Sequence, residues 1–278
     1  MVSSIHTNSA AMSALQTLKA TNADLETTQN RISSGFKVAG TRDNAAVYAV
    51  AQNMRGDVAA LTAVKTSLDR ANSITDVAIA AGETISDLLI QMREKAVAAK
   101  DPSIDSVARE AYSEDFESIL RQISTIVGDA EFDGANLLDG SLTNGIAFLA
   151  DAGASDTLTV DTENMSLGGT IITLSALADL TTVTRSSHAV TALNTSLDNV
   201  NSALARLGSS ANRLDSHIGF VQRLQDNLTS GVGNLVDADL SKESARLQAL
   251  QVKQQLGVQA LQIANQNPQT ILSLFQGG

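Results

Sequence analysis

The sequence predicts a mainly α-helical protein: a long antiparallel helical bundle or coiled-coil rod, with paired terminal helices and a small β-hairpin-rich region in mid-chain. Three observations support this fold class. A heptad repeat of apolar residues runs through the C-terminal third, only two prolines interrupt 278 residues, and turn-forming residues are concentrated near the middle. Long helices can therefore propagate on both sides of one irregular segment.

The heptad repeat is the clearest of these signals. One row of apolar residues recurs every seven positions: Leu193, Val200, Leu207, Leu214, Val221, Leu228 and Leu235. A second row fills the alternate positions and is interrupted only by Gln225: Leu197, Leu204, Ala211, Ile218 and Val232. Such an a/d pattern predicts one helix on the order of 60 Å long that needs partner helices. We expect this seam to pack within the chain.

Composition and charge exclude several classes of partner. The formal net charge of -11 argues against nucleic acid and against anionic membrane surfaces, because both require a basic patch. No segment approaches the roughly 18–20 apolar residues needed to cross a bilayer, so membrane insertion is not expected. The first residues lack the basic region and apolar core of a secretory signal, so any export is predicted to proceed without a cleaved signal peptide.

The N-terminal half divides into three predicted helices. The first ends at Gly35, which suits a left-handed C-cap, and a linker over 36–42 leads to Thr41 or Asp43 as the next N-cap. The second helix continues to the break before Pro102. Ser103 is the predicted N-cap of the third helix, which ends at Gly128.

The middle of the chain differs in composition from the helical regions on either side. Residues 131–188 are rich in Gly, Thr, Asp and Ser, and Asp133-Gly134 is a strong turn signal. Alternation over 157–161 and the β-branched run 170–173 predict two short strands. After the seam, the run Gly231-Val232-Gly233 with Asp237 and Asp239 is predicted to loosen or break the long helix. A last helix is expected from about Ser241 to Asn267-Pro268.

The two halves mirror each other, so both termini are expected at the same end of the rod. The sequence predicts three parts: a terminal coiled-coil domain (1–42 with 236–278), a long-helix domain (43–130 with 189–235) and a small β-rich surface segment (131–188). The terminal helices carry apolar stripes that we expect to contact neighbouring copies of the chain. The candidate subunit-interface residues are Ile5, Leu15, Leu18, Leu25, Ile32, Ala249, Val252, Leu256, Ala260, Ile263, Leu272 and Leu274.

No catalytic, cofactor-binding or metal-binding constellation is found in the sequence. His6, His188 and His217 lie far apart, without carboxylates or cysteines at ligand spacing. The pair Asp237 and Asp239 begins like a calcium loop, but Lys242 occupies the position that needs glycine, so we interpret the segment as a helix cap. We therefore predict a protein that is not an enzyme and that uses no cofactor.

Both ends of the sequence resemble bacterial flagellin. The N-terminal similarity is carried by Arg31-Ile32-Ser33-Ser34-Gly35, Asp43-Asn44-Ala45-Ala46, Gln91-Met92-Arg93-Glu94-Lys95-Ala96-Val97, Phe132-Asp133-Gly134 and Leu137-Leu138. The C-terminal similarity is carried by Leu207-Gly208-Ser209-Ser210-Ala211-Asn212-Arg213-Leu214, Asp237-Ala238-Asp239, Gln254-Gln255-Leu256-Gly257, Ala264-Asn265-Gln266 and Pro268-Gln269-Thr270-Ile271-Leu272-Ser273-Leu274. These strings cover about 3–140 and 190–275 in the order expected for the family.

The resemblance implies an extracellular structural subunit that self-assembles into the hollow helical flagellar filament for motility. In that family the terminal helices pair as coiled coils along the inner wall, and the mid-chain segment faces the medium. Other partners implied are hook-junction and filament-cap proteins, an export chaperone and the flagellar export apparatus. Many flagellins carry O-linked sugars, which makes Ser141, Thr143, Ser155 and Thr157 candidate glycosylation sites.

Two other functions fit part of the pattern. A hook–filament junction protein shares the terminal-helix layout, although such proteins tend to carry a proline in the motif that reads Asp43-Asn44-Ala45-Ala46 here. A cytoplasmic signalling rod is also acidic and heptad-patterned, but its helical hairpin would need only a tight turn where this chain has 131–188. We therefore expect a filament subunit, with the junction protein as the alternative.

Overall fold

The protein is mainly α-helical, as the sequence predicts. The computed structural model describes residues 8–276, with side chains as far as Gln266. Within this part the helices are α1 (Ser9–Ser34), α2 (Thr41–Ala99), α3 (Ser106–Asp129), α4 (Val183–Val236) and α5 (Leu240–Gln276). No helix in the described part is both long and apolar enough to span a bilayer.

Two small antiparallel strand pairs lie between α3 and α4. Strand β1 (Glu131–Phe132) pairs with β2 (Ala135–Asn136), and β3 (Ile146–Leu149) pairs with β4 (Thr157–Val160). In the second pair, Ile146 is opposite Val160 and Leu149 is opposite Thr157. The predicted strand at 157–161 is confirmed, whereas β3 was not predicted.

The predicted strand over 170–173 is wrong. Ile171 and Ile172 are buried, but the backbone pairs with α4 instead of a strand, because the Thr173 amide donates to the Ser196 hydroxyl at 3.1 Å. The Asn199 side-chain amide donates to the Ile171 carbonyl at 3.2 Å. These β-branched residues therefore reflect burial against a helix, which periodicity alone does not distinguish from a strand.

The chain forms two compact units. One contains Met1–Gly56 and Asn227–Gly278, and the other contains Asp57–Asp226. In the second unit, the α4 seam is buried within the single chain, as expected, at Leu193, Val200, Leu207, Leu214 and Val221. Their burial accompanies a core contributed by α2 and α3, whose fully buried side chains include Leu68, Ile85, Leu89, Met92, Phe116, Leu120 and Ile123.

Three of the predicted helix termini are confirmed or corrected by their capping geometry. Gly35 follows α1 at φ 75° and its amide donates to the Arg31 carbonyl, so the predicted left-handed C-cap is confirmed. α2 is interrupted at Asn44, whose backbone is extended, and the long part of the helix that follows is capped by Asn44 rather than by Thr41 or Asp43, because the Asn44 side chain accepts from the Val47 amide. Likewise, α3 is capped by Asp105 rather than Ser103.

The predicted break after the seam falls at Asp237 and Asp239 and not at the glycines, and the predicted end of the last helix is corrected. The glycines at 231 and 233 lie inside α4, which ends at Val236. The chain then turns at 237–239, where the Asp239 carboxylate accepts from the amides of Ser241 and Lys242 and confirms the capping interpretation. The predicted end at 267–268 is wrong, since α5 continues to Gln276.

Candidate subunit interface

Helices α1 and α5 pack side by side in antiparallel order. The contacts along the pair join Asn8 Nδ2 to the Ala264 carbonyl at 2.8 Å, Gln254 Nε2 to Asn22 Oδ1 at 2.8 Å, and Arg31 Nη1 to Glu243 Oε1 at 3.2 Å. Between the first two, the space beside Gly257 is filled by Leu18, whose Cδ1 would lie 3.2 Å from an added Cβ. The terminal helices are thus paired within one chain.

Each helix presents a seven-residue repeat to the other. The residues of α5 that are buried or half-buried on this side are Glu243, Leu247, Leu250, Gln254, Gly257, Leu261 and Ala264. The corresponding residues of α1 are Ala11, Ala14, Leu18, Thr21, Leu25, Thr28 and Ile32. We call these two rows the paired seam. Alternating steps of three and four residues in both rows are typical of coiled-coil packing.

The C-terminal candidate interface residues lie on a different side of α5. Val252, Leu256 and Ile263 are 55%, 56% and 63% exposed, and Ala249 and Ala260 are also exposed. We call these five residues the outer stripe of α5. Val252, Leu256 and Ile263 each lie two positions after a residue of the paired seam, which places each about 160° around the helix from that residue, because each residue advances 100°. The outer stripe has no partner within the described part of the chain.

The N-terminal candidates divide between two locations. Leu15 is 42% exposed, whereas Leu18, Leu25 and Ile32 are half-buried in the paired seam. These three residues therefore pack on α5 of their own chain. The remaining candidates, Ile5, Leu272 and Leu274, lie outside the described side chains.

Sequence reasoning missed part of both surfaces. It did not include Met12 or Val258, which are 63% and 42% exposed. It also did not find the paired seam of α5, because a search for apolar repeats passes over Glu243, Gln254 and Gly257. The sequence feature that could have identified this row is its regular spacing of three and four residues, provided that polar residues are counted along with apolar ones.

A short backbone tie joins the ends of these helices to the rest of their unit. Phe36 and Asp237 form an isolated antiparallel bridge, in which the Lys37 amide donates to the Val236 carbonyl at 2.7 Å and the Ala238 amide donates to the Gly35 carbonyl at 2.8 Å. We call these bonds the 36–237 tie. The α1 C-terminus and the α5 N-terminus are therefore held close together.

Polar side chains of α4 hold the mid-chain segment. Arg206 donates to both carboxylate oxygens of Glu163, and this hydrogen bonding raises the pKa of Arg206. Arg213 donates to the Thr159 carbonyl, and the His217 Nε2 atom lies 2.7 Å from the Ala150 carbonyl oxygen. Because donors of α4 meet one carboxylate and two backbone carbonyls of the segment, the β-rich region is fixed at several points along one helix.

The described part of the chain provides little that resembles a catalytic or metal centre. Within it, no group of three metal-binding side chains comes together. A shallow cavity of about 380 Å³ near the start of α4 is bordered by Asp179, Arg185 and His188. There the Asp179 carboxylate is engaged by the Arg185 guanidinium at 2.6 Å and by the Thr181 hydroxyl at 2.7 Å. This is an ion pair at a helix start.

The candidate glycosylation residues are accessible. Ser141, Thr143, Ser155 and Thr157 are all exposed. The Ser155 hydroxyl donates to the Asp151 carboxylate at 2.9 Å, within the turn that joins β3 to β4. Exposure permits modification but does not distinguish these residues from other surface hydroxyls.

The fold and its paired terminal helices define a helical-bundle protein with a coiled-coil terminal pair that leaves one apolar stripe uncovered. Residues 5–143 match the bacterial flagellin N-terminal helical region, and residues 185–275 match the bacterial flagellin C-terminal helical region. Together these matches cover most of the chain.

Relatives of similar length give the same result. The chain is 48% identical to flagellin FljK of Caulobacter vibrioides, over 99% of both chains. It is 39% identical to a flagellin of Brucella melitensis, over 99% of this chain and 100% of the relative. The chain belongs to the bacterial flagellin family. It is accordingly a structural subunit that self-assembles into the flagellar filament, an extracellular structure.

Solved structures support the fold alone. A Bacillus cereus flagellin crystal structure aligns at a TM-score of 0.50 and 23% identity, covering 56% of this chain and 88% of that chain. A putative flagellar hook-associated protein from Vibrio parahaemolyticus aligns at a TM-score of 0.58 and 13% identity, covering 70% of this chain and 100% of that chain. At such identity the second likeness does not favour the junction alternative.

Proposed function

We propose that the chain enters the filament through its α1–α5 pair, with the outer stripe of α5 in contact with neighbouring copies. One observation supports this role. The paired seam already occupies one side of α5, and the three large apolar side chains of the outer stripe are still more than half exposed. A helix with two apolar sides is typical of one that packs against two partners.

The energetic argument follows from burial. Covering a Val, Leu or Ile side chain completely is worth about 1.5–3 kcal/mol relative to leaving it exposed. The outer stripe offers part of that gain at Val252, Leu256 and Ile263 in every copy. Because a polymer repeats one head-to-tail contact, such modest gains add along an open-ended assembly.

The same reasoning extends to partners that act before assembly. We propose that an export chaperone covers the outer stripe of α5 until the subunit is delivered, because an exposed apolar stripe favours premature association. Hook-junction and filament-cap proteins would meet the same terminal pair at the two ends of the polymer. We further propose export through the flagellar apparatus without a cleaved signal peptide and a purely structural role with no enzymatic activity.

The domain assignment remains part of this proposal. Residues 1–42 with 236–278 would form the terminal coiled-coil domain, 43–130 with 189–235 the long-helix domain, and 131–188 the surface segment. We propose that sugars are attached to the surface segment at Ser141, Thr143, Ser155 or Thr157. Mass spectrometry of filaments from the native host tests the modification.

The decisive experiment is seeded polymerisation followed by electron microscopy. The full chain is expected to form long hollow tubes, and a chain trimmed of residues 1–35 and 240–278 is expected to form none. Discrete monomers or dimers from the full chain, even with seeds, would favour the junction protein instead.

Point variants locate the contact more sharply. Val252→Glu combined with Leu256→Glu places two charges in the outer stripe and is expected to prevent elongation. The matched control is Gln251→Glu combined with Gln255→Glu, which adds the same charge at exposed positions one residue away. Equal elongation by the two double variants would contradict the assignment of the outer stripe.

A further inference from the structure

An ion pair interrupts the paired seam near the 36–237 tie. Arg31 and Glu243 meet at 3.2 Å, with side-chain exposures of 30% and 11%. Glu243 is the one charged residue in the α5 row of the seam, where the other large side chains are three leucines and Gln254. An acidic residue at such a position costs stability through desolvation unless its partner is in place.

The pair is also incompletely satisfied. Arg31 Nε and Glu243 Oε2 are both buried and have no hydrogen-bond partner among the described residues. These two atoms are the additional donor and acceptor that a bidentate arginine–carboxylate pair would use. Among the described residues, each of these two charges forms its ion pair with the other.

The apolar residues of the paired seam do little to select one register of α1 against α5. The α1 row contains Ala11, Ala14, Thr21 and Thr28, and the α5 row contains Gly257 and Ala264. Small residues of this kind fit opposite either a leucine or one another. A slip of one heptad would move Leu18 away from Gly257, but it would still place mostly small or apolar residues of the two rows opposite each other.

A slip would instead separate the charges. In one direction Glu243 would move opposite Leu25, and Arg31 would pass beyond the start of α5. In the other direction Arg31 would move opposite Leu250, and Glu243 would pass beyond the end of α1 at Gly35. Removing one partner of a shielded ion pair is strongly destabilising, because the remaining charge stays desolvated.

We propose that Arg31 and Glu243 set the register of the α1–α5 pair and thereby determine how the outer stripe is presented to neighbouring copies. A polar group at one seam position is the best-attested way in which coiled coils select a register. The register does not depend on polymerisation, whereas its consequence for assembly rests on the proposed function.

The competing explanation is that the 36–237 tie alone aligns the helices. The tie joins residues just beyond the ends of α1 and α5, whereas the ion pair joins the last turn of α1 to the first turn of α5 through side chains. Replacing both charges with apolar residues separates these explanations, since it leaves every bond of the tie in place. Arg31→Met combined with Glu243→Leu keeps side-chain volume and removes the charge preference.

The chain contains no cysteine, so disulfide reporters can be introduced cleanly. Gln254→Cys is combined with Asn22→Cys to report the native register, because these side chains are in hydrogen-bond contact at 2.8 Å. Gln254→Cys with Leu15→Cys or with Gln29→Cys reports a slip of one heptad in either direction. Intramolecular disulfides are quantified by mass spectrometry on dilute full-length chain in TMAO, an osmolyte that strengthens burial.

In the chain that keeps Arg31 and Glu243, the Asn22→Cys/Gln254→Cys pair is expected to form far more disulfide than the two pairs that report a slip. In Arg31→Met/Glu243→Leu the ratio of native to slipped disulfides is expected to fall by at least about tenfold. The charge swap Arg31→Glu/Glu243→Arg should restore the native ratio. Lys95→Met/Asp115→Leu is the control, because it removes a 2.7 Å ion pair from the other unit.

Two outcomes would overturn the proposal. The first is a single native register in the apolar variant, which would assign alignment to the tie. The second is equal yield from all three reporters in the unaltered background. Because disulfides are measured on unpolymerised chain, a failure here is distinguishable from a failure of the outer stripe to support polymerisation.

Discussion

Arg206 of α4 donates from Nε and Nη2 to the two carboxylate oxygens of Glu163, each at 2.6 Å. The Glu163 side chain is only 7% exposed, whereas the Arg206 side chain is 58% exposed. This bidentate pair holds the segment after β4 against α4. Its loss would leave a shielded carboxylate without its main partner.

We expect Arg206→Met to lower the free energy of unfolding by about 2 kcal/mol, less than for a fully buried pair because Arg206 is half in water. Urea titration followed by circular dichroism measures the change as a shift in midpoint. Arg223→Met, at an exposed position of the same helix, is the control and should change little. Equal midpoints for the two variants would contradict the role of the pair.

Replacing glycine with alanine is expected to change the stability of the chain in opposite directions at Gly82 and Gly208. A Cβ added at Gly82 would lie 2.8 Å from Leu204 Cδ2, whereas one added at Gly208 meets nothing within 4 Å. Gly208→Ala should therefore stabilise the chain by about 0.5–1 kcal/mol, since alanine favours the helix. Gly82→Ala should destabilise it by about 1 kcal/mol, because the Leu204 methyl must shift while the fully buried Met165 Cε already lies 3.4 Å from the added Cβ. Thermal unfolding of both variants checks the sign, and a gain at Gly82 would show that Leu204 moves freely.

The pair formed by Asp179 and Arg185 predicts a pH dependence. The Arg185 hydrogen bond, supported by Thr181, holds the pKa of Asp179 below its ordinary value. The stabilisation is therefore present above the ordinary pKa of about 3.9 and is lost as the pH falls through the lowered value. We expect Asp179→Asn to reduce stability by about 0.5 kcal/mol at pH 7, as for exposed pairs. Urea midpoints from pH 7 to pH 2 should converge only in acid; a constant difference would contradict this.

The terminal pair should open before the remainder of the chain. On α1 only Thr21 and Thr28 are buried, so few apolar atoms support the helix in one copy. Trypsin is expected to cut the unpolymerised chain first after Lys19, Arg246 or Lys253, because cleavage requires local opening. Mass spectrometry of early fragments gives the order. First cuts within α2 or α3 would show that the terminal pair is not the weakest part.

The long seam of α4 could be predicted because its apolar residues follow one clear seven-residue repeat and are buried within the same chain. Leu193, Val200, Leu207 and Leu214 lie seven residues apart and are all buried in the single chain. By contrast, the caps at Asn44 and Asp105 were missed, since Thr, Ser, Asp and Asn neighbours are chemically equivalent candidates. Only backbone geometry selects among them.

The remaining errors have a similar physical origin. Ile171 and Ile172 favour a strand by composition because β-branched residues fit a half-buried surface, and a helix can provide that surface as well. The glycines at 231 and 233 remain inside α4, where neighbouring Val232 and Val236 are buried against Ala51. Tertiary burial there outweighs a helix-propensity cost of about 1 kcal/mol for each glycine.

The sequence by itself determined the helical class, the seven-residue repeats, the absence of cysteine and, through its two terminal regions, the family resemblance. Only the tertiary structure decided which side of α5 faces α1 and which is left outward. The reason is that α5 carries two rows with the same spacing, one with Glu243 and Gln254 and one with Val252 and Leu256. Periodicity identifies a stripe, but the partner that covers it is decided by complementary side chains in three dimensions.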